Sequence, residues 1–228
     1  MPEAAPPHRP VPYGFATERL VVRCYEPADA EKLLSTLQRS REHLAPWLSW
    51  ADEVPDSLDL MLDQVRLFRG WFDSGTDFVM GIFSRADGAL VGGTGLHTRV
   101  GPEAREIGYW IAEGHTRQGL AQETCRGLVR LGFGHLDLIR IEIRVDPRNR
   151  ASRRVPEQLG FHLDGTLRQK GQPPAAPSRG PGTPGSGGLR PDVEVWSLLA
   201  EEFAGRPGDF PPITAWDAAT RPLPDRAN

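Results

Sequence analysis

The chain has 228 residues, a formal net charge of −3, 25% charged and 39% hydrophobic residues. These values suit one folded domain with a sizeable core and give no global attraction to nucleic acid or an acidic membrane. Gly and Pro number 47, well above the roughly 12% of an average chain, but 25 of them fall in three clusters at 1–14, 171–191 and 201–228. The other 165 residues are ordinary in this respect, which excludes a collagen-like or wholly disordered chain. We expect one domain at 15–200, a flexible tail at 1–14, a Gly/Pro-rich insert at 171–191 and an irregular extension at 201–228.

In chain order, Arg19–Tyr25 reads as a strand closed by Glu26-Pro27. Asp29 is placed to cap a helix carrying Leu33, Leu34 and Leu37 at helical spacing. A second short helix is expected through Arg41–Leu44, stopping near Pro46, and a third from about Asp56 to Phe72 on Leu58, Met61, Leu62, Val65, Phe68 and Trp71. The period then changes. Asp77–Ser84 and Ala89–Thr98 flank the turn Ala86-Asp87-Gly88 and predict a hairpin. Arg105–Ala112 predicts the fourth strand, followed by a polar loop at Gly114–Gly119 and a long helix from about Leu120 to Leu136. Leu138–Val145 alternates cleanly as a fifth strand. A short helix over Asn149–Leu159 and strands at Phe161–Leu167 and Asp192–Leu199 complete the set. This is an α+β order with a mixed, mostly antiparallel sheet of about seven strands.

The stretch from 105 to 136 carries the clearest chemistry. A glycine-bearing loop feeds a helix N-terminus directly after a strand, so backbone N–H groups at Arg117–Ala121 lack intrahelical partners and face whatever lies above the loop. With the helix dipole they make an anion site suited to a pyrophosphate. Gly119 allows close approach, and Ala121 keeps the next turn slim. Any glycine-led helix start shares these features. No GxxxxGK[ST] and no strand-linked GxGxxG is present, which argues against P-loop and Rossmann sites. Residues 140–154 (RIEIRVDPRNRASRR) hold six Arg and two acids. Arginine beside a strand end and a helix start suits bidentate phosphate contacts, although such a run also serves as a solvated face. Nucleic acid could use the patch, but it holds no aromatic residue for base stacking, and no nucleic-acid partner is expected.

Cys24 and Cys125 are the only cysteines and form no CxxC, so there is no disulfide framework. No apolar run reaches 18 residues and MPEAAPPHRPVPYG has no apolar signal core, which points to a cytoplasmic protein without a membrane partner. The six His residues show no ligand spacing, and no metal is expected.

Gln118-Gly119-Leu120-Ala121, preceded by EIGYWIA and followed by VDPRNRASRRVPEQLGF, resembles the GNAT acetyltransferases, and within them the RimJ/RimL-like N-acetyltransferases. TERLVVRCYEPADA, HLAPWLSWA and DVEVWSLL resemble the same group, so the likeness covers about 15–200. It implies a GNAT-like sheet with a splay between the fourth and fifth strands, acetyl-CoA as cosubstrate, and direct acetyl transfer to a primary amine. A protein N-terminal α-amine of the ribosomal-protein type is the implied acceptor. An aminoglycoside or polyamine acceptor, or a non-catalytic coenzyme A-binding module, stands as the alternative. The likeness also implies that Thr116, Arg117, Gln118, Gly119, Leu120 and Ala121 bind the pyrophosphate. Thr116 stands where relatives carry Arg or Gln. The pantetheine arm is expected on the backbone of Tyr109, Trp110 and Ile111, with oxyanion donation near Ile111. Asn149 and Ser152 match an Asn-x-x-Ser near the thioester. Glu106 is the implied base. The tyrosine that many relatives use as an acid on the last conserved helix is missing, and Ser152 replaces it. Trp47 and Trp50 are expected to border the acceptor groove, and a homodimer is implied.

Overall fold

The computed structural model describes residues 11–171 and 190–225. Ten strands form one sheet: β1 (Gly14–Ala16), β2 (Leu20–Cys24), β3 (Phe78–Ser84), β4 (Leu90–His97), β5 (Ala104–Ile111), β6 (Arg140–Val145), β7 (His162–Leu167), β8 (Val193–Leu199), β9 (Thr214–Trp216) and β10 (Pro222–Leu223), in spatial order β10-β9-β1-β2-β3-β4-β5-β6-β8-β7. All seven expected strands are present. The three additional ones lie at the ends of the chain and lengthen the sheet at its β2 side. Every pairing is antiparallel except β5 with β6.

The helices are α1 (Ala30–Leu44), α2 (Leu58–Ser74), α3 (Leu120–His135), α4 (Arg150–Gln158) and α5 (Ala200–Ala204). The two helices expected between residues 29 and 46 are one. Ala30, Leu33, Leu37, Ser40 and Leu44 keep a single buried stripe through the junction, and burial of that face outweighs its polar content. Asp29 does not cap with its side chain. Its carboxylate accepts the Glu26 N–H at 2.8 Å and pairs with Arg23 at 2.7 Å. Helix α2 starts where Ser57 Oγ accepts the Leu60 N–H and ends at left-handed Gly75, φ 70°, the geometry glycine adopts without penalty.

Helices α3 and α4 belong to the core cluster of Leu128, Leu131, Ile141 and Ile143. Helices α1 and α2 form a second cluster with Tyr25, Met61 and Val65. Along β5 this divides the side chains. Ile107, Tyr109 and Ile111 pack with the first cluster, and Trp110 packs with the second.

Residues 201–225 are not an irregular appendage. β9 pairs with β1, β10 pairs with β9, and Phe203, Phe210, Ile213 and Ala215 are buried in the main core. At the other end Val11 is buried and the Tyr13 N–H reaches the Trp216 carbonyl at 2.9 Å. Residues 11–14 are thus part of the fold rather than a flexible tail, with Gly14 already paired in β1, and the rest of the tail expected at 1–14 lies outside the described residues. So does most of the 171–191 insert, whose base is closed by the Gly171 N–H on the Pro191 carbonyl at 2.8 Å. As expected, it joins the two strands of an antiparallel hairpin, β7 and β8.

Candidate active site

The β5–β6 ladder runs from Ala104↔Arg140 to Ile107↔Ile143 and stops, while β4 stays paired with β5 as far as Gly92↔Ile111. Residues 108–111 therefore part from β6, which is the expected splay. The Ala112 N–H bonds the Val91 carbonyl at 2.9 Å. Backbone direction alternates along an antiparallel strand, so Trp110 turns its backbone groups toward β4, while Tyr109 and Ile111 turn theirs into the opening. Of the three residues expected to offer backbone there, Trp110 does not. Its indole instead meets Trp50 edge to face, ring centres 6.3 Å apart.

At the far end of β5 a short turn leads to the loop Thr116–Ala121. Arg117 (φ 59°) and Gly119 (φ 77°) are both left-handed. Successive turns of this kind fold backbone N–H groups into a concave anion seat, and Leu120, Ala121 and Gln122 add the unpaired N–H groups of the α3 N-terminus. Arg117, Gln118 and Gly119 are exposed and Leu120 is buried. Thr116 gives its hydroxyl to the Glu113 carbonyl at 3.1 Å, so its side chain is already committed.

A cation that sequence reasoning missed supports the loop. Arg19 donates to the Gln118 carbonyl at 3.0 Å and to Glu123 at 2.6 Å. Burial opposes the charge of Glu123, but hydrogen bonds from Thr17 and Arg19 outweigh it and hold its carboxyl below the usual range. Arg19, Arg85, His115 and Gln118 line a cleft of about 680 Å³ beside the loop.

The α3/α4 face of the splay holds a hydroxyl pair. Asn149 Oδ1 accepts the Ser152 N–H at 3.0 Å and caps α4. The Tyr109 hydroxyl donates to the Ser152 carbonyl at 3.0 Å and lies 3.0 Å from Ser152 Oγ. Burial pushes the Tyr109 phenol far above its usual range, so it stays protonated. A phenol on β5 thus reaches the start of the helix that lacks a tyrosine. Sequence reasoning assigned only the backbone of Tyr109.

Glu106 lies on the opposite face and is not poised as a free base. Its carboxylate meets Arg99 Nε at 2.8 Å and Nη2 at 2.5 Å, and Arg144 Nε at 3.4 Å, with 6% of the side chain exposed. The ionic ladder continues along β6, where Glu142 joins Arg144 and Arg140, and Arg140 reaches Asp164. Two of the six arginines expected to meet phosphate, Arg140 and Arg144, are therefore paired with carboxylates on this face. Trp50 borders the face through Trp110, and Trp47 stands exposed beyond α1. Cys24 and Cys125 are buried and free. Burial pushes the Cys24 thiol up to about 11 and raises that of Cys125 further, so neither suits a nucleophile's task.

Comparison with known proteins gives the same assignment. The family model described as "Acetyltransferase (GNAT) domain" matches residues 19–162. "Putative ribosomal N-acetyltransferase YdaF" of Bacillus subtilis is 32% identical over 192 residues, covering 82% of this chain and 95% of that protein. The [Ribosomal protein uS5]-alanine N-acetyltransferase of Escherichia coli is 27% identical over 156 residues, covering 66% and 79%. Among solved structures, RimL, a ribosomal L7/L12 alpha-N-protein acetyltransferase in complex with coenzyme A, superposes with a TM-score of 0.69 at 20% identity, covering 84% of this chain and 98% of that one. Fold, splay, loop and sequence agree, and the chain belongs to the GNAT family of acetyltransferases.

Proposed function

We propose that the protein transfers the acetyl group of acetyl-CoA to a primary amine, with a protein N-terminal α-amine of the ribosomal-protein type as acceptor. The observation that carries this is the continuity of anion seat and splay. The left-handed loop at 117–119 leads along β5 to unpaired backbone at Tyr109 and Ile111, and then to the Tyr109–Ser152 hydroxyls. The residues present fit acetyl-CoA. The loop would hold its pyrophosphate, Tyr109 and Ile111 would pair with the pantetheine amides as an added strand, and Asn149 and Ser152 would face the thioester end. Bound there, acetyl-CoA supplies an activated acyl group. The Ile111 N–H is the oxyanion donor, and Ser152 gives a proton to the departing sulfur. Trp50, backed by Trp110, borders the acceptor side. The names of the relatives, YdaF and the uS5-alanine enzyme, support the acceptor class.

Labelled acetyl-CoA offered to peptides with free N-termini, to polyamines and to aminoglycosides tests the reading. Label on the α-amine of peptides, with matching release of free thiol, is expected. Transfer only to small amines would overturn the acceptor, and no thiol release with any amine would overturn the activity. Tyr109→Phe should keep the fold, cost about 1 kcal/mol for the lost hydrogen bond, and slow turnover with little change in acetyl-CoA affinity, as read by calorimetry and steady-state kinetics.

A further inference from the structure

The face of the splay opposite Ser152 carries a second polar pair that the reading above leaves without a task. His97 ends β4, directly across from Glu106 of β5. Its Nδ1 lies 2.8 Å from Oδ2 of Asp77, the residue before β3, and the two side chains are 19% and 26% exposed. The ring occupies a seat that two glycines create. A Cβ on Gly95 would stand 2.8 Å from His97 Cε1, and one on Gly108 would stand 2.8 Å from Nε2. Gly108 is the first β5 residue beyond the last β5–β6 pair, so Nε2 lies at the mouth of the splay. Burial opposes the charge of Asp77, but hydrogen bonds from His97 and from the backbone of Phe78 and Thr98 outweigh it and hold its carboxyl below the usual range. In the neutral ring an ionised Asp77 places the proton on Nδ1, and that tautomer carries its lone pair on Nε2. The neighbouring charged groups are Arg105 and Glu106 on β5, Arg99 just past β4, and Glu142 and Arg144 on β6. Glu106 is already held by Arg99 and Arg144.

We propose that His97 is the general base of the acetyl transfer, held in its tautomer and orientation by Asp77. This rests on the function proposed above. The acceptor amine attacks the thioester carbonyl from the His97 side, forming the C–N bond. Nε2 takes the proton that the nitrogen loses and returns it to water. The C–S bond breaks on the opposite face, and the sulfur receives a proton through the Ser152 hydroxyl, replenished from solvent. Reactants and products are then an amine and a thioester, and an amide and a thiol. Base and acid lie on opposite faces of one opening, and an attacking and a leaving group need that separation.

The test uses the full chain with acetyl-CoA and a peptide acceptor. His97→Gln should lower kcat/KM by about a hundredfold or more, the usual share of general-base catalysis, and should lose the acid limb of the pH profile. Its acetyl-CoA dissociation constant should stay within about twofold, since Nε2 lies on the face away from Ser152. Gly108→Ala leaves the imidazole intact but fills its seat, and should cause a similar loss. In the unliganded protein, the His97 signal in long-range 1H–15N spectra should show the Nδ1–H tautomer and become a mixture in Asp77→Asn. If His97→Gln keeps the wild-type rate and acid limb, or if Glu106→Gln alone abolishes that limb, the assignment is overturned. A wild-type protein that binds acetyl-CoA but acetylates no amine would instead overturn the function on which it rests.

Discussion

Gly119→Glu should abolish acetyl-CoA binding, the largest effect we expect from any single substitution in the loop. Three features act together. Gly119 holds φ 77°, a conformation that costs an L-residue roughly 1–2 kcal/mol. The new carboxylate would stand where the loop and the α3 N-terminus gather N–H groups for a phosphate. Arg19 Nη2 lies 3.6 Å from the position of a Cβ at residue 119, so the carboxylate would find a cation and stay in the seat. Gly119→Asn separates these causes, because Asn tolerates the left-handed region and brings no charge. We expect calorimetry to show no measurable binding for Glu and a modest weakening for Asn, with both variants folded by thermal melt. Binding retained by the Glu variant would move the phosphate site away from this loop.

The parts legible in the sequence are those whose physics is local. The loop at 116–121, the alternation of Leu138–Val145 and the hairpin around Asp87 are set by neighbours a few residues apart, and the structure keeps them. The break expected in the first helix came from weak local signals near Arg41, and tertiary burial of Ser40 and Leu44 overrode it. The splay is a property of two strands about 35 residues apart, and only the family resemblance pointed to it. The His97–Asp77 contact spans 20 residues, and Glu106 with Arg144 spans two strands and a helix. Such contacts depend on register, which composition does not report. One trace was available: Gly93, Gly95 and His97 alternate on β4, with Gly108 opposite Gly95. That spacing clears one face of a sheet for a ring. Read alone, those glycines suggest only a weak strand.

The C-terminal segment escaped notice for the same reason, and it supports the second large effect. β9 and β10 are three and two residues long, too short to show a period, and they lie in a Pro-rich stretch. Their contribution is nevertheless to the core. Phe210 is fully buried, its ring centre is 5.5 Å from that of Phe203, and Phe203 meets Phe133 of α3 at 5.2 Å. Arg206 lies 5.8 Å over the Phe210 ring. Phe210→Ala should therefore cost about 3–5 kcal/mol, as expected for removing a fully buried ring, measured as a lower midpoint in denaturant with the slope unchanged. The aromatic chain ends on α3, whose other end carries the loop proposed to hold the pyrophosphate. Saturating acetyl-CoA should restore part of the loss, because a ligand that binds only the folded state stabilises it by mass action. A cost below about 1 kcal/mol would return residues 201–225 to the status of an appendage, because a ring that packs no core has little area to lose.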